Sequence, residues 1–252
     1  MRSLVLLPVA LVLSGLAAAT QAFPSVDIKI DQDARRCYTR MGPKKGAKRG
    51  RRGYGLLILI PSGNNGAYDI TECEQVYRRC CNKTYLAARV HSPANDDGVV
   101  WPIHRPRTAA RGVCSVRLVE QVIEDVRSWK KVDPRRIFVV AWFLGGHVAY
   151  TVSLQKKKSP TGFFIGMGEF RHQSISAPAG GAYYILHSPD DEVTPFETAQ
   201  RAQQLLTGAG AKVTLATYRG PHVWYSLIDR RIKKGIQWLE KNHAAPPKPA
   251  PP

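Results

Sequence analysis

The stretch Arg136–Tyr150, RIFVVAWFLGGHVAY, constrains the fold more than any other part of the chain. An apolar, β-branched run, Ile137–Val140, meets the glycine pair Gly145-Gly146, and helix-compatible residues come next. That order predicts a short buried strand, a glycine turn and a helix, the unit by which α/β folds present a reactive group above the carboxyl edge of a sheet. The remaining pattern agrees. Strand-like segments at Gly55–Ile60, Tyr85–His91, Gly162–Gly168, Tyr183–His187 and Lys212–Tyr218 alternate with helix-like ones. The helical segments are Asp69–Asn82, Ser115–Lys131, a run from the glycine pair to about Lys158, Pro195–Ala209 and Tyr225–Asn242. This rhythm predicts a mostly parallel central sheet with helices on both faces. LLILI after Gly55 does not alternate, as expected of a strand covered on both sides. In Ser115–Lys131, Val116, Val119, Val122, Ile123 and Val126 recur at helical spacing, with Ser115 the expected N-cap and Asp133-Pro134 the expected stop.

The chain has 252 residues, enough for one α/β domain with a sizeable core. Its ends read differently. Arg2, the apolar run Leu4–Leu16 and the small residues Ala17–Ala22 predict a cleaved secretory signal over 1–22, hence an exported, periplasmic or secreted protein. The apolar run is short for a membrane span of roughly 20 residues, so no transmembrane segment is expected after cleavage. Residues 23–54 show no sustained period and are expected to form a flexible arm, the domain proper being 55–243. The arm ends in GPKKGAKRGRRG, where Lys44, Lys45, Lys48, Arg49, Arg51 and Arg52 stand among glycines. A formal net charge of +18 favours anionic partners, so this arm is a candidate contact for an anionic polymer or envelope surface, against the plainer reading of a solvated linker. Nothing points to a specific nucleic acid. Residues 244–252, AAPPKPAPP, are a Pro-rich tail. Five cysteines, Cys37, Cys73, Cys80, Cys81 and Cys114, suit an oxidising compartment with one or two disulfides. Their spacing holds no CxxC, and neither a metal nor another cofactor is expected.

Three motifs carry chemistry. AWFLG, Ala141–Gly145, resembles the nucleophile elbow G-x-S-x-G of the α/β-hydrolase superfamily, with Phe143 where the serine stands. HSPDDEVTP, His187–Pro195, resembles that family's acid loop and puts Asp191 on the catalytic-acid position. YRGPHVW, Tyr218–Trp224, puts His222 on the catalytic-histidine position. The order nucleophile, Asp, His is the family's order along the chain. The likeness runs from about Gly55 to Leu239 and is nearest to small dienelactone-hydrolase, phospholipase/carboxylesterase and polyhydroxybutyrate-depolymerase-like esterases.

The resemblance implies an α/β-hydrolase fold, a pocket for a small ester or acyl ligand, and an oxyanion hole formed by the backbone N–H of Leu144 and a donor at Ser62 in PSGNNG. It also implies impaired catalysis, because phenylalanine has no oxygen to attack with. The alternatives are an active ester hydrolase using another nucleophile, with Ser62 and Ser188 the nearest candidates, and a non-enzymatic binder of anionic polymer. His147 reads as an ordinary helix residue. Substrate preference would lie in the loops Asn95–Gly112 and Glu169–Gly181.

Overall fold

The structure, a computed structural model, describes residues 23–81, 83–93, 100–104, 112–155, 159–175, 181–223 and 228–243. The expected signal and the Pro-rich tail lie outside these, as do parts of the loops over 95–112 and 169–181.

One sheet of eight strands organises the described residues: β1 (Ser25–Lys29), β2 (Cys37–Met41), β3 (Tyr54–Ile60), β4 (Tyr85–Val90), β5 (Val132–Trp142), β6 (Gly162–Gly166), β7 (Ala182–His187) and β8 (Lys212–Thr217). Their spatial order is β1-β2-β4-β3-β5-β6-β7-β8. The pairings β1–β2 and β2–β4 are antiparallel and the five others are parallel. The helices are α1 (Ala67–Cys80), α2 (Ser115–Trp129), α3 (Gly145–Ser153), α4 (Phe196–Gly208) and α5 (Ile228–Asn242). Helices α2, α3 and α4 cover one face and α1 and α5 the other, each closing a separate apolar core. Strands wedged between two such layers are apolar throughout, which is why LLILI and IFVV carry no alternation. The predicted stripe of α2 is buried in full, and each such valine or isoleucine contributes about 1.5–3 kcal/mol by leaving water.

Several sequence expectations are corrected. Residues 23–54 are not a free arm. Phe23 is buried and stands edge-on to Tyr77 at 4.6 Å, and β1 and β2 add an antiparallel edge to β4. Each of these strands has only five residues with one face partly wet, too short for a period to show, and they are held by backbone pairing. Lys44 is half-buried, and its Nζ donates to the carbonyls of Arg78 (3.1 Å) and Cys81 (2.7 Å), so it is part of the packing and not an open cation. Asp133-Pro134 does not precede the elbow strand but lies inside β5, where Asp133 accepts the Arg135 N–H. Ser115 is the first residue of α2 and not its cap, a place taken by Cys114 without a side-chain bond.

All five cysteines are free thiols. Four of them donate to backbone carbonyls instead: Cys37 to Ala34, Cys80 to Asp229, Cys81 to Val76 and Cys114 to Ile103. Cys73 is wholly buried in the α1 core, where burial pushes its thiol up. No helix among the described residues is long and apolar enough to cross a membrane.

Candidate active site

Strand β5 lies at the centre of the sheet between β3 and β6, so the residue at its carboxyl end stands above the middle of the sheet edge. Phe143 is that residue. Its φ of +51° is the left-handed region, which costs a residue with a Cβ about 1–3 kcal/mol. The elbow is pinned on both sides, with the Phe143 N–H donating to the Gly166 carbonyl (3.1 Å) and the Gly146 N–H returning to the Phe143 carbonyl (3.0 Å).

The two glycines at the start of the next helix are required by close approach. A Cβ on Gly145 would lie 2.2 Å from the Ile60 carbonyl oxygen, and one on Gly146 would lie 2.5 Å from the Gly168 Cα. Helix α3 therefore starts directly against the loop after β3. Leu144 is its N-cap residue and Ser62 stands in the facing loop, so the two expected oxyanion donors belong to adjoining segments.

The other two motifs meet here. Asp191 has a fully buried side chain, whose Oδ1 accepts the backbone N–H groups of Val193 (3.0 Å) and Thr194 (2.8 Å). His222 Nδ1 lies 2.9 and 2.8 Å from the two oxygens of that carboxylate. A carboxylate only accepts, so Nδ1 carries a hydrogen, which in the neutral ring leaves Nε2 as the bare nitrogen. The ring of His222 is met by Phe143, the residue that the elbow resemblance puts at the serine position. The two rings lie with centroids 4.5 Å apart and planes inclined by 35°.

No protein-family model and no curated protein matches the sequence. Solved structures do match the fold. A carboxylesterase from Bacillus cereus superposes with a TM-score of 0.61 at 13% identity, over 88% of this chain and 96% of that one. An α/β hydrolase enzyme from a Medee basin deep-sea metagenome library gives 0.65 at 16%, covering 88% and 98%. A sugar hydrolase from Lactococcus lactis gives 0.62 at 13%, covering 86% and 98%. The chain has the α/β-hydrolase fold.

Within this α/β-hydrolase fold the sequence missed three supporting side chains. Asp69, buried in the first turn of α1, accepts from the Ser62 hydroxyl (2.6 Å) and from the N–H groups of Gly63 and Asn65 (both 3.0 Å), and so shapes the loop after β3. Its only signal in the sequence is an acid near a helix start. Asp69→Ala would leave three donors without their acceptor, one of them buried, and is expected to cost about 3 kcal/mol in urea unfolding. A loss below about 1 kcal/mol would show that this carboxylate does not hold the loop.

His147 is the second. It is buried and its Nε2 donates to the Trp101 carbonyl (3.0 Å), while the Trp101 indole N–H donates to the Pro61 carbonyl (3.2 Å). A helix histidine thus holds the loop after β3 through Trp101, and burial pushes its pKa down. The third is His187, fully buried behind the acid. Its Nε2 bonds to the Thr194 carbonyl (2.9 Å) and stands 3.4 Å from Asp191 Oδ2. The relocated nucleophiles considered from the sequence are committed elsewhere: the Ser62 hydroxyl donates to Asp69, and the Ser188 hydroxyl to the Gly220 carbonyl (2.6 Å).

A buried acid lies beneath the elbow. Glu72 Oε2 accepts the Trp142 indole N–H (3.0 Å), and burial pushes the pKa from 4.5 up to about 7. Between those values the folded chain binds this proton more tightly than the unfolded chain does. Its contribution therefore makes stability fall as pH rises from 4.5 to 7 and level off above. The melting temperature of the natural protein is expected to drop between pH 5 and pH 8 by more than that of Glu72→Gln. Equal drops in the two proteins would remove Glu72 as the cause.

Proposed function

We propose that this chain is a carboxylesterase-like α/β-hydrolase protein that keeps the acid–histidine half of a catalytic triad but has lost acyl-enzyme chemistry. The observation that carries this is the Phe143 ring packed on His222 at the nucleophile position, above an Asp191–His222 pair with intact geometry. In a serine hydrolase the histidine takes a proton from the hydroxyl beside it and hands it to the leaving group. Here the adjacent group has no proton to give, and its ring stands against the imidazole where a hydroxyl would be needed.

Apolar side chains stand exposed at the same edge of the sheet. Tyr68, Ile70, Leu144, Val193 and Val223 are large apolar side chains left exposed, and all of them stand on segments that come after β3, β5, β7 and β8 at the carboxyl edge. Exposed apolar groups at that edge would suit contact with a small ester or acyl ligand, held without being cleaved. The N-terminal pattern of Arg2, Leu4–Leu16 and Ala17–Ala22 supports export, with a mature chain that begins near the buried Phe23.

Turnover of a short-chain p-nitrophenyl ester by the natural protein is compared with turnover by His222→Ala. The expected result is equal, near-background rates, since a histidine with no nucleophile beside it contributes nothing to acyl transfer. A tenfold or greater loss in His222→Ala would mean that His222 still serves a working nucleophile, and the reading of lost catalysis would fall.

A further inference from the structure

The sheet edge opposite the Asp191–His222 pair carries a cluster of cations on ordered backbone. Arg51, Arg52, Lys131, Asp133, Pro134 and Arg135 line a cleft of about 720 Å³ at the amino ends of β3 and β5. The segment bearing Arg51 and Arg52 is fixed there. Gly53 N–H donates to the Gly50 carbonyl (3.0 Å) and closes a tight turn, and Tyr54 N–H donates to the Lys131 carbonyl (2.9 Å). Gly53 has a φ of +125°, and a Cβ on it would lie 2.5 Å from that same carbonyl oxygen, so the turn sits hard against the start of β5. Arg51, Arg52 and Lys131 are exposed. On the cleft wall Arg135 Nε is buried without a hydrogen bond, 3.6 Å from Oδ1 of Asp133, a residue only 5% exposed.

We propose that this cleft binds an acidic polysaccharide, with sulfate or carboxylate groups on Arg51, Arg52, Lys131 and Arg135 and a sugar hydroxyl on Asp133. Guanidinium forks match the paired oxygens of such groups. The carboxylate of Asp133 selects among polyanions: it repels a ligand that is anionic throughout and accepts from one that alternates anionic groups with hydroxyls. The cleft lining has no aromatic ring, the stacking surface that single-stranded nucleic acids use, and no long aliphatic side chain to enter a lipid layer. Bound through this edge, the protein would hold the Asp191–His222 pair at the other edge away from the polymer.

The test measures binding of the purified protein to heparin, to duplex DNA and to phosphatidylglycerol vesicles at equal anionic charge and about 0.15 M NaCl, near physiological ionic strength. Two triple variants of equal charge change are compared with it, Arg51→Gln/Arg52→Gln/Lys131→Gln in the cleft and Lys212→Gln/Arg219→Gln/Arg230→Gln outside it. The expected result is tightest binding to heparin, a loss of about tenfold or more in the cleft variant, and a log–log salt slope smaller by about 2–3. The outside variant should change by less than about threefold. Equal losses in both variants would reduce the effect to net charge and overturn the proposal. Absence of heparin binding, or tighter binding to DNA or vesicles, would overturn it as well. None of these outcomes depends on whether the Phe143 site catalyses.

Discussion

If acyl-enzyme chemistry has been lost as proposed, Phe143→Ser should raise ester hydrolysis from near background to that of a working, if slow, hydrolase. The substitution supplies the one missing group and leaves the others where they stand: Asp191 fixed by two backbone donors, His222 aligned on it, and Leu144 at the start of α3 facing the loop after β3. The left-handed backbone at position 143 is already formed, so serine enters a conformation whose cost the surrounding structure already bears. In subtilisin, loss of the nucleophile lowers turnover about 10⁶-fold. Restoring it in a site not selected for that chemistry should recover only part of this, and a gain of about 10²-fold or more in p-nitrophenyl ester hydrolysis is expected. Asp191→Asn placed in the Phe143→Ser protein should then remove most of the gain, because the wrong imidazole tautomer would face the serine. A Phe143→Ser protein that folds normally and gains nothing would show that the hole or the pocket has also been lost.

Gly145→Ala is expected to destabilise the fold as much as the loss of Asp69. The added methyl would be placed 2.2 Å from the Ile60 carbonyl oxygen and 2.6 Å from that of Pro61, both backbone atoms that cannot swing aside. Either α3 or the loop after β3 must move. A move of α3 pulls on β5, which is bonded to β3 and β6 at the middle of the sheet. Overpacking of this kind costs about 3 kcal/mol, or roughly 6–12 °C in melting temperature for a domain of this size. Gly208→Ala is the matched control, since nothing lies within 4 Å of its Cβ position. Similar melting temperatures for the two variants would contradict the close approach of α3 to that loop.

The legibility of this chain depends on the range of its interactions. Parallel strands buried on both faces write themselves as apolar runs, so LLILI, IFVV and YYILH are readable, and the motifs at their carboxyl ends are readable by position. Asp191, His222 and Phe143 come together as the motif order implies, 31 residues separating the first two. The strands β1 and β2 are not readable, because five residues with a half-wet face leave almost no pattern and their stability comes from pairing with β4. Asp69, His147 and His187 escape notice for another reason. Each acts through hydrogen bonds to backbone atoms of a loop, and which loop lies opposite a given side chain is decided only when the sheet has assembled. Lys44 shows the reverse error: charge in a glycine-rich run suggests solvent, whereas this amine closes off carbonyls at the end of α1.

If no activated nucleophile stands beside His222, a fluorophosphonate should leave the natural protein unmodified. The reagent reacts with a serine only when a neighbouring base and oxyanion donors activate it, so labelling tests the point directly. No labelling of the natural protein is expected, together with labelling of Phe143→Ser under the same conditions. Labelling of the natural protein, with the adduct mapped to any serine, would contradict the loss of acyl-enzyme chemistry.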